Sequence, residues 1–119
     1  HPLLAELIMQ ALSAMNKDIL QETISAIPDV LPTMITTSEI YLEENKNEIL
    51  FQYAKLFTKA GKVKDSAILN IIYTIKYKIS EKDPERALII LEELNQIYLD
   101  HPKISREINE AISEAKMYL

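Results

Sequence analysis

The side chains best suited to acid–base chemistry in this 119-residue chain are one internal histidine and two pairs of adjacent glutamates. His101 stands in Asp100-His101-Pro102, at the junction of two predicted helices. The pairs Glu43-Glu44 and Glu92-Glu93 fall on two different predicted helices. A nucleophile–base site needs a base held beside a serine, cysteine or threonine. A histidine at a helix junction more often caps a helix or faces water, so we expect no catalytic residue.

The glutamate pairs could belong to a carboxylate metal centre. Bundle proteins with such centres use Glu-x-x-His on facing helices, and neither pair has a histidine at that spacing. Adjacent residues also point about 100° apart on a helix, so only one glutamate of each pair could face a common site. An all-α enzyme with a carboxylate metal site is therefore the least favoured function. We expect solvated acids, no metal ion and no cofactor.

The lysines of the central segment form a more specific pattern. Lys55, Lys59 and Lys62 fall on one helical face that runs into Gly61, and Phe51 stands one turn before Lys55, outside the main apolar stripe. An aromatic side chain beside lysines is typical of a contact site for a peptide or a nucleic acid. The alternative is that Phe51 packs on a neighbouring helix and the lysines are solvated. The candidate partner-binding residues are Phe51, Lys55, Lys59 and Lys62.

The composition predicts one globular domain over residues 1–119, because 48% of the residues are hydrophobic and can form a core. A single glycine argues against phosphate-binding loops, which need several. Cysteine is absent, which fits a reducing compartment, and we expect a cytoplasmic protein. No apolar run approaches the ~20 residues that span a bilayer, so no membrane segment is expected, nor is a secretory leader.

The net charge of −5 is unevenly distributed. Residues 1–45 carry one lysine and seven acids, residues 46–78 carry seven lysines and two acids, and residues 79–119 carry five basic and nine acidic residues. This pattern is typical of neighbouring helices that neutralise one another. It could also provide a basic patch for an acidic partner, although the acidic balance of the whole chain disfavours nucleic acid.

Hydrophobic periodicity and helix-end signals predict seven helices, at about 2–15, 18–27, 30–44, 47–60, 65–79, 84–99 and 102–119. The second helix is predicted to start at Asp18, because Gln21 follows at capping-box spacing. The sixth helix is predicted to start at Asp83-Pro84-Glu85. A break is predicted at Asn45-Lys46-Asn47, and Gly61 is expected to end the fourth helix. In the first helix the positions expected to face the core are Leu4, Leu7, Ile8, Ala11, Leu12 and Met15.

The fifth predicted helix, 65–79, is apolar nearly all round. Only Ser66, Asn70 and Thr74 form a narrow polar line, which is typical of a helix buried between neighbours. Its second half, 73–79, also alternates like a strand, but no other segment offers that strand a pairing partner. We therefore predict that 65–79 is helical and is the most buried element, whereas 102–119, with one narrow apolar line, lies at an edge.

Part of the chain resembles a tetratricopeptide-type helical hairpin. Residues 47–79 contain Phe57-Thr58-Lys59-Ala60-Gly61, similar to the family's aromatic-x-x-x-Gly helix end, followed by the small residues Ser66 and Ala67. Asp83-Pro84-Glu85-Arg86-Ala87-Leu88 resembles the turn that opens a second helix, although Ala67 and Ala87 are 20 residues apart where the repeat is about 34. The resemblance covers about half of the chain and implies a scaffold that holds a peptide. The family's peptide clamp does not map, since Phe51 and Lys55 stand where Lys and Asn are needed.

Short connections between helices predict that sequence neighbours pack antiparallel. The predicted fold is all-α, with about seven antiparallel helices stacked as helical hairpins in a tetratricopeptide-like α-solenoid or a compact bundle. The predicted function is a protein–protein interaction scaffold or adaptor that binds a protein or peptide, without catalysis. The alternative is a helical regulatory or nucleic-acid-associated domain of a larger protein that uses the basic central segment. A homo-oligomer is compatible with either.

Overall fold

A computed structural model of the chain describes residues 2–38 and 42–119. Over these residues it contains seven α-helices, one π-helical segment and no strand, which confirms the predicted all-α class. In chain order the elements are α1 (Pro2–Ala14), α2 (Lys17–Ala26), α3 (Val30–Thr37), α4 (Glu43–Ala60), α5 (Asp65–Thr74), the π-helical segment (Ile75–Ile79), α6 (Pro84–Ile97) and α7 (Pro102–Lys116). None of the helices in the described ranges combines the length and the apolar character that a membrane crossing requires.

The fold is organised around α4, which packs against α1, α2, α3, α5, α6 and the π-helical segment. The molecule measures 36 × 33 × 19 Å, and a helix with its side chains is about 10 Å across, so the protein is two helices thick. The main contacts of α1 are with α3 and α4, and those of α2 are with α4 and α5. This packing favours the compact bundle among the two predicted arrangements. The buried side chains of α4 are Ile49, Leu50, Phe51, Tyr53, Ala54, Leu56, Phe57 and Ala60.

The starts of α6 and α7 confirm the helix signals in the sequence. The Asp83 carboxylate accepts a hydrogen bond from the Arg86 backbone N–H at 3.3 Å, with Pro84 in the first helical position. His101 caps α7 in the same way, because its Nδ1 accepts from the Ile104 N–H at 3.3 Å. Of the two non-catalytic roles expected of His101, a helix cap or a side chain facing water, the structure shows the cap. As expected of an edge helix, α7 buries a single line of side chains, Ile104, Ile108, Ala111 and Ala115.

The predicted boundary between the third and fourth helices is wrong. Helix α3 ends at Thr37, since Ser38 is extended, and α4 begins at Glu43, so Asn45-Lys46-Asn47 is helical rather than a break. The Thr36 and Thr37 hydroxyls donate to carbonyls one turn back, which competes with the backbone bonds that would extend α3. Residues 39–41, over which the third helix was predicted to continue, lie outside the described residues.

The predicted inward face of α1 is wrong at Leu4, Leu7 and Ala11 and correct at Leu12. Its buried side chains are Ala5, Met9 and Leu12, whereas Leu4 and Leu7 are 48% and 51% exposed. Ala11 is exposed, and Ile8 and Met15 are half-buried. The apolar arc of this helix is wider than one packing contact can cover, and periodicity alone does not say which part of the arc meets the core.

The loop after α4 connects α4 to α5 and is hydrogen-bonded to α2 and to the end of α6. Gly61 ends α4 at a φ of +76°, a conformation that residues with a Cβ rarely adopt. The Val63 N–H donates to the buried Tyr98 hydroxyl of α6 at 2.9 Å, and burial raises the pKa of Tyr98, so the hydroxyl stays protonated. The Lys64 N–H donates to Ser25 Oγ of α2 at 3.0 Å. The loop is thus fixed to α2 and α6.

The same region corrects the predicted start of α2. The cap is Asn16, whose side chain accepts from the Ile19 N–H at 3.0 Å, and not Asp18. Gln21, which was predicted to close a capping box, instead reaches across the fold. Its Nε2 donates to the Ala60 carbonyl at 3.1 Å and satisfies one of the carbonyls left free at the end of α4.

The segment 65–79 is helical and central, as predicted, but it is not buried on every side. Ile68, Ile71 and Ile72 are fully buried, whereas Tyr73 and Tyr77 are 40% and 68% exposed. The prediction that this segment is the most buried element is wrong, because α4 contributes more of the core. The tyrosines face outward because their ring edges and hydroxyls tolerate water, unlike the isoleucines of the opposite side.

Replacement of Ile72 by Ala tests whether this segment belongs to the core. Ile72 is 0% exposed, so the free energy of unfolding should fall by about 2–5 kcal/mol. Urea denaturation followed by far-UV circular dichroism measures it. Ile89→Ala is the matched control, since Ile89 is 59% exposed, and it should change stability by less than ~1 kcal/mol. Equal losses for both variants would contradict this assignment.

Candidate partner-binding site

Phe51 on α4 is covered by Arg86 of α6. Phe51 is only 8% exposed, and the Arg86 guanidinium carbon lies 3.5 Å from the centre of its ring, a cation–π contact. A bidentate ion pair with Glu48 holds Arg86 there. Its Nη1 lies 2.9 Å from Glu48 Oε2, and its Nη2 lies 3.2 Å from Glu48 Oε1. A second carboxylate, Asp83, lies 3.5 Å from Nη1. The planar guanidinium therefore has a defined orientation above the aromatic ring.

The ion pair changes the titration of both partners. Hydrogen bonding to Arg86 lowers the pKa of Glu48 below its ordinary value of 4.5, against a smaller opposing effect of burial. The same hydrogen bonds raise the pKa of Arg86 above its ordinary range. Both groups are therefore charged at neutral pH, and α4 and α6 are joined by a charged pair that is about half exposed to water.

A groove of about 420 Å³ runs between α4 and α6 above this pair. Phe51 and Ile90 form its apolar floor, Lys55 stands on the α4 side, and Ile89 and Glu93 stand on the α6 side. Ile89 is 59% exposed although it is an aliphatic side chain. Lys55 and Glu93 are exposed and form no ion pair with each other or with any other described residue. The remaining lining residues are Glu48, Gln52 and Arg86.

Two further grooves lie on the other side of α4, against α1. One of about 670 Å³ is lined by Gln10, Ile49 and Gln52 among others, and one of about 320 Å³ is lined by Met9, Gln52 and Lys55 among others. Gln52 lines all three grooves. The exposed ridge of α4 is thus bordered by a depression on each side.

The four candidate residues do not form a single surface. Phe51 and Lys55 both line the α4–α6 groove. Lys59 turns toward α1, where its Nζ donates to the Ser13 carbonyl at 3.0 Å, a favourable place for a cation at a helix C-terminus. Lys62 is paired with Asp100 beyond the Gly61 loop. The structure therefore brings two of the four together and engages the other two in contacts within the chain.

The residues considered for catalysis are spread over the surface. His101 caps α7, and its Nε2 lies 3.4 Å from the Asp65 carboxylate. Glu44, Glu92 and Glu93 are exposed, and the side chain of Glu43 lies outside the described residues. Across the described part of the chain, no three His, Cys, Asp or Glu side chains are grouped so that they could hold a metal ion.

Sequence reasoning missed Arg86 and Ile89. Ile89 lies off the apolar line of α6 that contains Ala87, Leu91 and Leu94, in the same way that Phe51 lies off the line of α4. The position of Ile89 outside that line can be read from the sequence, but the criterion that selected Phe51 also required an aromatic ring beside lysines, which Ile89 does not meet. No sequence signal pairs Arg86 with Phe51 and Glu48, because the contact joins residues 35 and 38 positions apart.

Replacing Phe51 and Lys55 separately distinguishes packing from surface roles. Phe51→Ala should lower the free energy of unfolding by about 3–5 kcal/mol, because a buried ring is removed from under Arg86. Lys55→Glu should change it by less than ~0.5 kcal/mol, because Lys55 is exposed and forms no ion pair with the other described residues. Chemical denaturation of both variants measures the difference. If Phe51→Ala left the free energy of unfolding unchanged, the ring would not be part of the core.

The Glu48–Arg86 pair should make stability depend on pH in the acid range. Because the pKa of Glu48 is lower in the folded than in the unfolded chain, its contribution is complete above 4.5 and is lost as pH falls through the folded-state pKa. The melting temperature of the wild type should exceed that of Glu48→Gln near pH 7, and the gap should close on acidification. Glu92→Gln, at an exposed acid, serves as the control. A gap that is constant with pH would exclude a contribution from the charge of Glu48.

Comparison of the chain with protein-family models, with curated proteins and with solved structures gave no match. The tetratricopeptide resemblance therefore stays a prediction that depends on the residues quoted for it. The function of this chain has to be inferred from its own surface.

Proposed function

We propose that this chain is a protein–protein interaction domain that holds a segment of a partner protein in the α4–α6 groove and catalyses no reaction. The observation that carries the proposal is an exposed aliphatic side chain, Ile89, beside an unpaired lysine, Lys55, over an apolar floor. Together these groups offer both an apolar contact and a charge to a partner. They lack the ordered proton-transfer partners that an active site would need.

The groove has the composition of an interface centre. Binding energy is concentrated in a few residues, and aromatic and arginine side chains are over-represented among them. Here Phe51 and Arg86 are already stacked, and Glu48 holds the guanidinium in place. A prearranged surface loses less side-chain entropy when a partner binds. The volume of about 420 Å³ is sufficient for one or two side chains of a partner.

The charges of the groove predict the chemistry of the bound segment. Lys55 on the α4 side would pair with a carboxylate of the partner, and Glu93 on the α6 side would pair with a basic group of the partner. Ile89 and the Phe51 floor between them accept an apolar side chain. We therefore infer that the partner presents an apolar residue flanked by charges of opposite sign.

The contacts of the basic central segment support a protein partner over a nucleic acid. Lys59 donates to a carbonyl of α1, Lys62 pairs with Asp100, and Lys76 lies 3.8 Å from Glu114. Three of the seven lysines of this segment therefore already have acceptors within the described protein, which reduces the number that could contact the phosphates on which nucleic-acid binding depends.

Affinity capture from source-cell lysate tests the proposal when it is run with matched variants. A protein retained by the wild type should be lost with Lys55→Glu and with Ile89→Glu. It should still be retained with Lys103→Glu, because Lys103 is an exposed lysine on α7, away from the groove. Retention should survive nuclease treatment. The proposal would be overturned if both groove variants retained the protein as well as the wild type does. It would also be overturned if retention were lost on nuclease treatment and weakened steeply with salt.

A further inference from the structure

The guanidinium of Arg86 has one flat face covered and the other exposed. Its carbon lies 3.5 Å from the centre of the Phe51 ring, which is the contact distance of two flat groups, so the inner face is covered. Phe51 is 8% exposed, whereas the side chain of Arg86 is 42% exposed. The exposed part of Arg86 therefore includes the outer face of the guanidinium, which borders the α4–α6 groove.

The edge of this guanidinium is already engaged by acids. Both terminal nitrogens donate to Glu48, and the Asp83 carboxylate lies 3.5 Å from Nη1. Two negative charges thus adjoin one positive charge, and a third carboxylate brought by a partner would be repelled. A basic side chain would instead meet the positive guanidinium face-on. A partner group that occupies the outer face should therefore be uncharged.

An aromatic ring suits this face better than an aliphatic side chain does. An aliphatic group would remove water from the cation without any electrostatic interaction in return. The negative face of an aromatic ring attracts a cation, and a planar guanidinium stacks on it, as the contact with Phe51 shows on the inner side. Ile89 stands one turn after Arg86 on α6 and is 59% exposed, so it can contact the edge of the same ring.

We propose that the bound segment is anchored by an aromatic residue whose ring stacks on the outer face of Arg86, so that the guanidinium lies between this ring and Phe51. This anchor rests on the proposed function, because the ring belongs to the segment held in the groove. Arg86 is then the residue that selects an aromatic over an aliphatic anchor. Glu48 is a positioning residue, because it fixes the orientation of the guanidinium through both terminal nitrogens.

The groove also sets the distance between the anchor and a charged residue of the partner. Its lining residues run from Glu48 to Lys55 along α4 and from Arg86 to Glu93 along α6. Since Glu48 is paired with Arg86, these two residues close one end, and Lys55 lies toward the other. Positions 48 and 55 are seven residues apart, about 10 Å along a helix, which about three residues of an extended chain also span. We therefore expect an acidic residue, facing Lys55, about three positions from the aromatic anchor.

A phage-displayed library of random peptides serves as the probe, because it offers aromatic and aliphatic anchors side by side. Peptides are selected on the wild type, and those that Ile89→Glu and Lys55→Glu no longer bind are assigned to the groove. They should share an aromatic residue at one fixed position, with an acid about three positions away. Exchange of that aromatic residue for leucine should lower the affinity, measured by fluorescence polarisation, about five- to tenfold.

Arg86→Lys tests the stacking, because lysine keeps the positive charge but has no flat face. This variant should bind the aromatic peptide about five- to tenfold more weakly and the leucine-substituted peptide nearly as well as the wild type does, so the two effects are not additive. Arg106→Lys makes the same exchange at an exposed residue of α7 and should leave both affinities unchanged. Far-UV circular dichroism shows that each variant is folded.

The outcomes separate this anchor from the proposed function. If the groove peptides share an aliphatic anchor, or if Arg86→Lys weakens the aromatic and the leucine-substituted peptide equally, the stacking on Arg86 is overturned and the proposed function stands. If no selected peptide depends on Ile89 and Lys55, the proposed function fails and the aromatic anchor fails with it.

Discussion

The buried hydrogen bond between the Val63 N–H and the Tyr98 hydroxyl positions the loop on which the arrangement of the helices depends. A loop amide inside the protein loses its water and must find another acceptor. Tyr98 supplies that acceptor from the end of α6, while Ser25 of α2 accepts from the next amide, that of Lys64. Gly61 ends α4 and Asp65 begins α5, so the residues between them set the angle between these two helices. The bonds of this loop to Ser25 and Tyr98 also fix the positions of α2 and of the end of α6 beside it.

The uneven charge of the sequence is resolved by contacts across the fold. Lys62 of the basic segment pairs with Asp100, and Lys76 approaches Glu114 on α7. Glu48, one of the two acids in the basic segment, pairs with Arg86 of the acidic third segment. These pairs agree with the interpretation that neighbouring helices neutralise one another. Each is at least partly exposed, so their main effect is on the relative placement of helices rather than on total stability.

The sequence was sufficient to predict the elements whose signals are local. The Asp83 and His101 caps, the Gly61 stop and the apolar line of α4 depend on residues within one or two turns, and the structure agrees with each. The inward side of α1 could not be predicted, because its apolar arc is wide and the choice is made by α3 and α4. The groove was only half predicted. Phe51 and Lys55 could be selected from their own helix, but Ile89 and Arg86 come from another.

The wide turn at Ile75–Ile79 is equivalent to an α-helix that has absorbed one additional residue. The backbone N–H and the hydroxyl of Ser80 both donate to the Ile75 carbonyl, five positions earlier, at 2.9 and 3.0 Å. Deleting one residue here would restore ordinary α-helical spacing and turn the last residues of the segment by about 100°. Residues 80–83, which lead from this segment to α6, would then leave it in a different direction. The number of residues in this wide turn, and not only their identity, therefore sets the direction in which the chain departs toward α6.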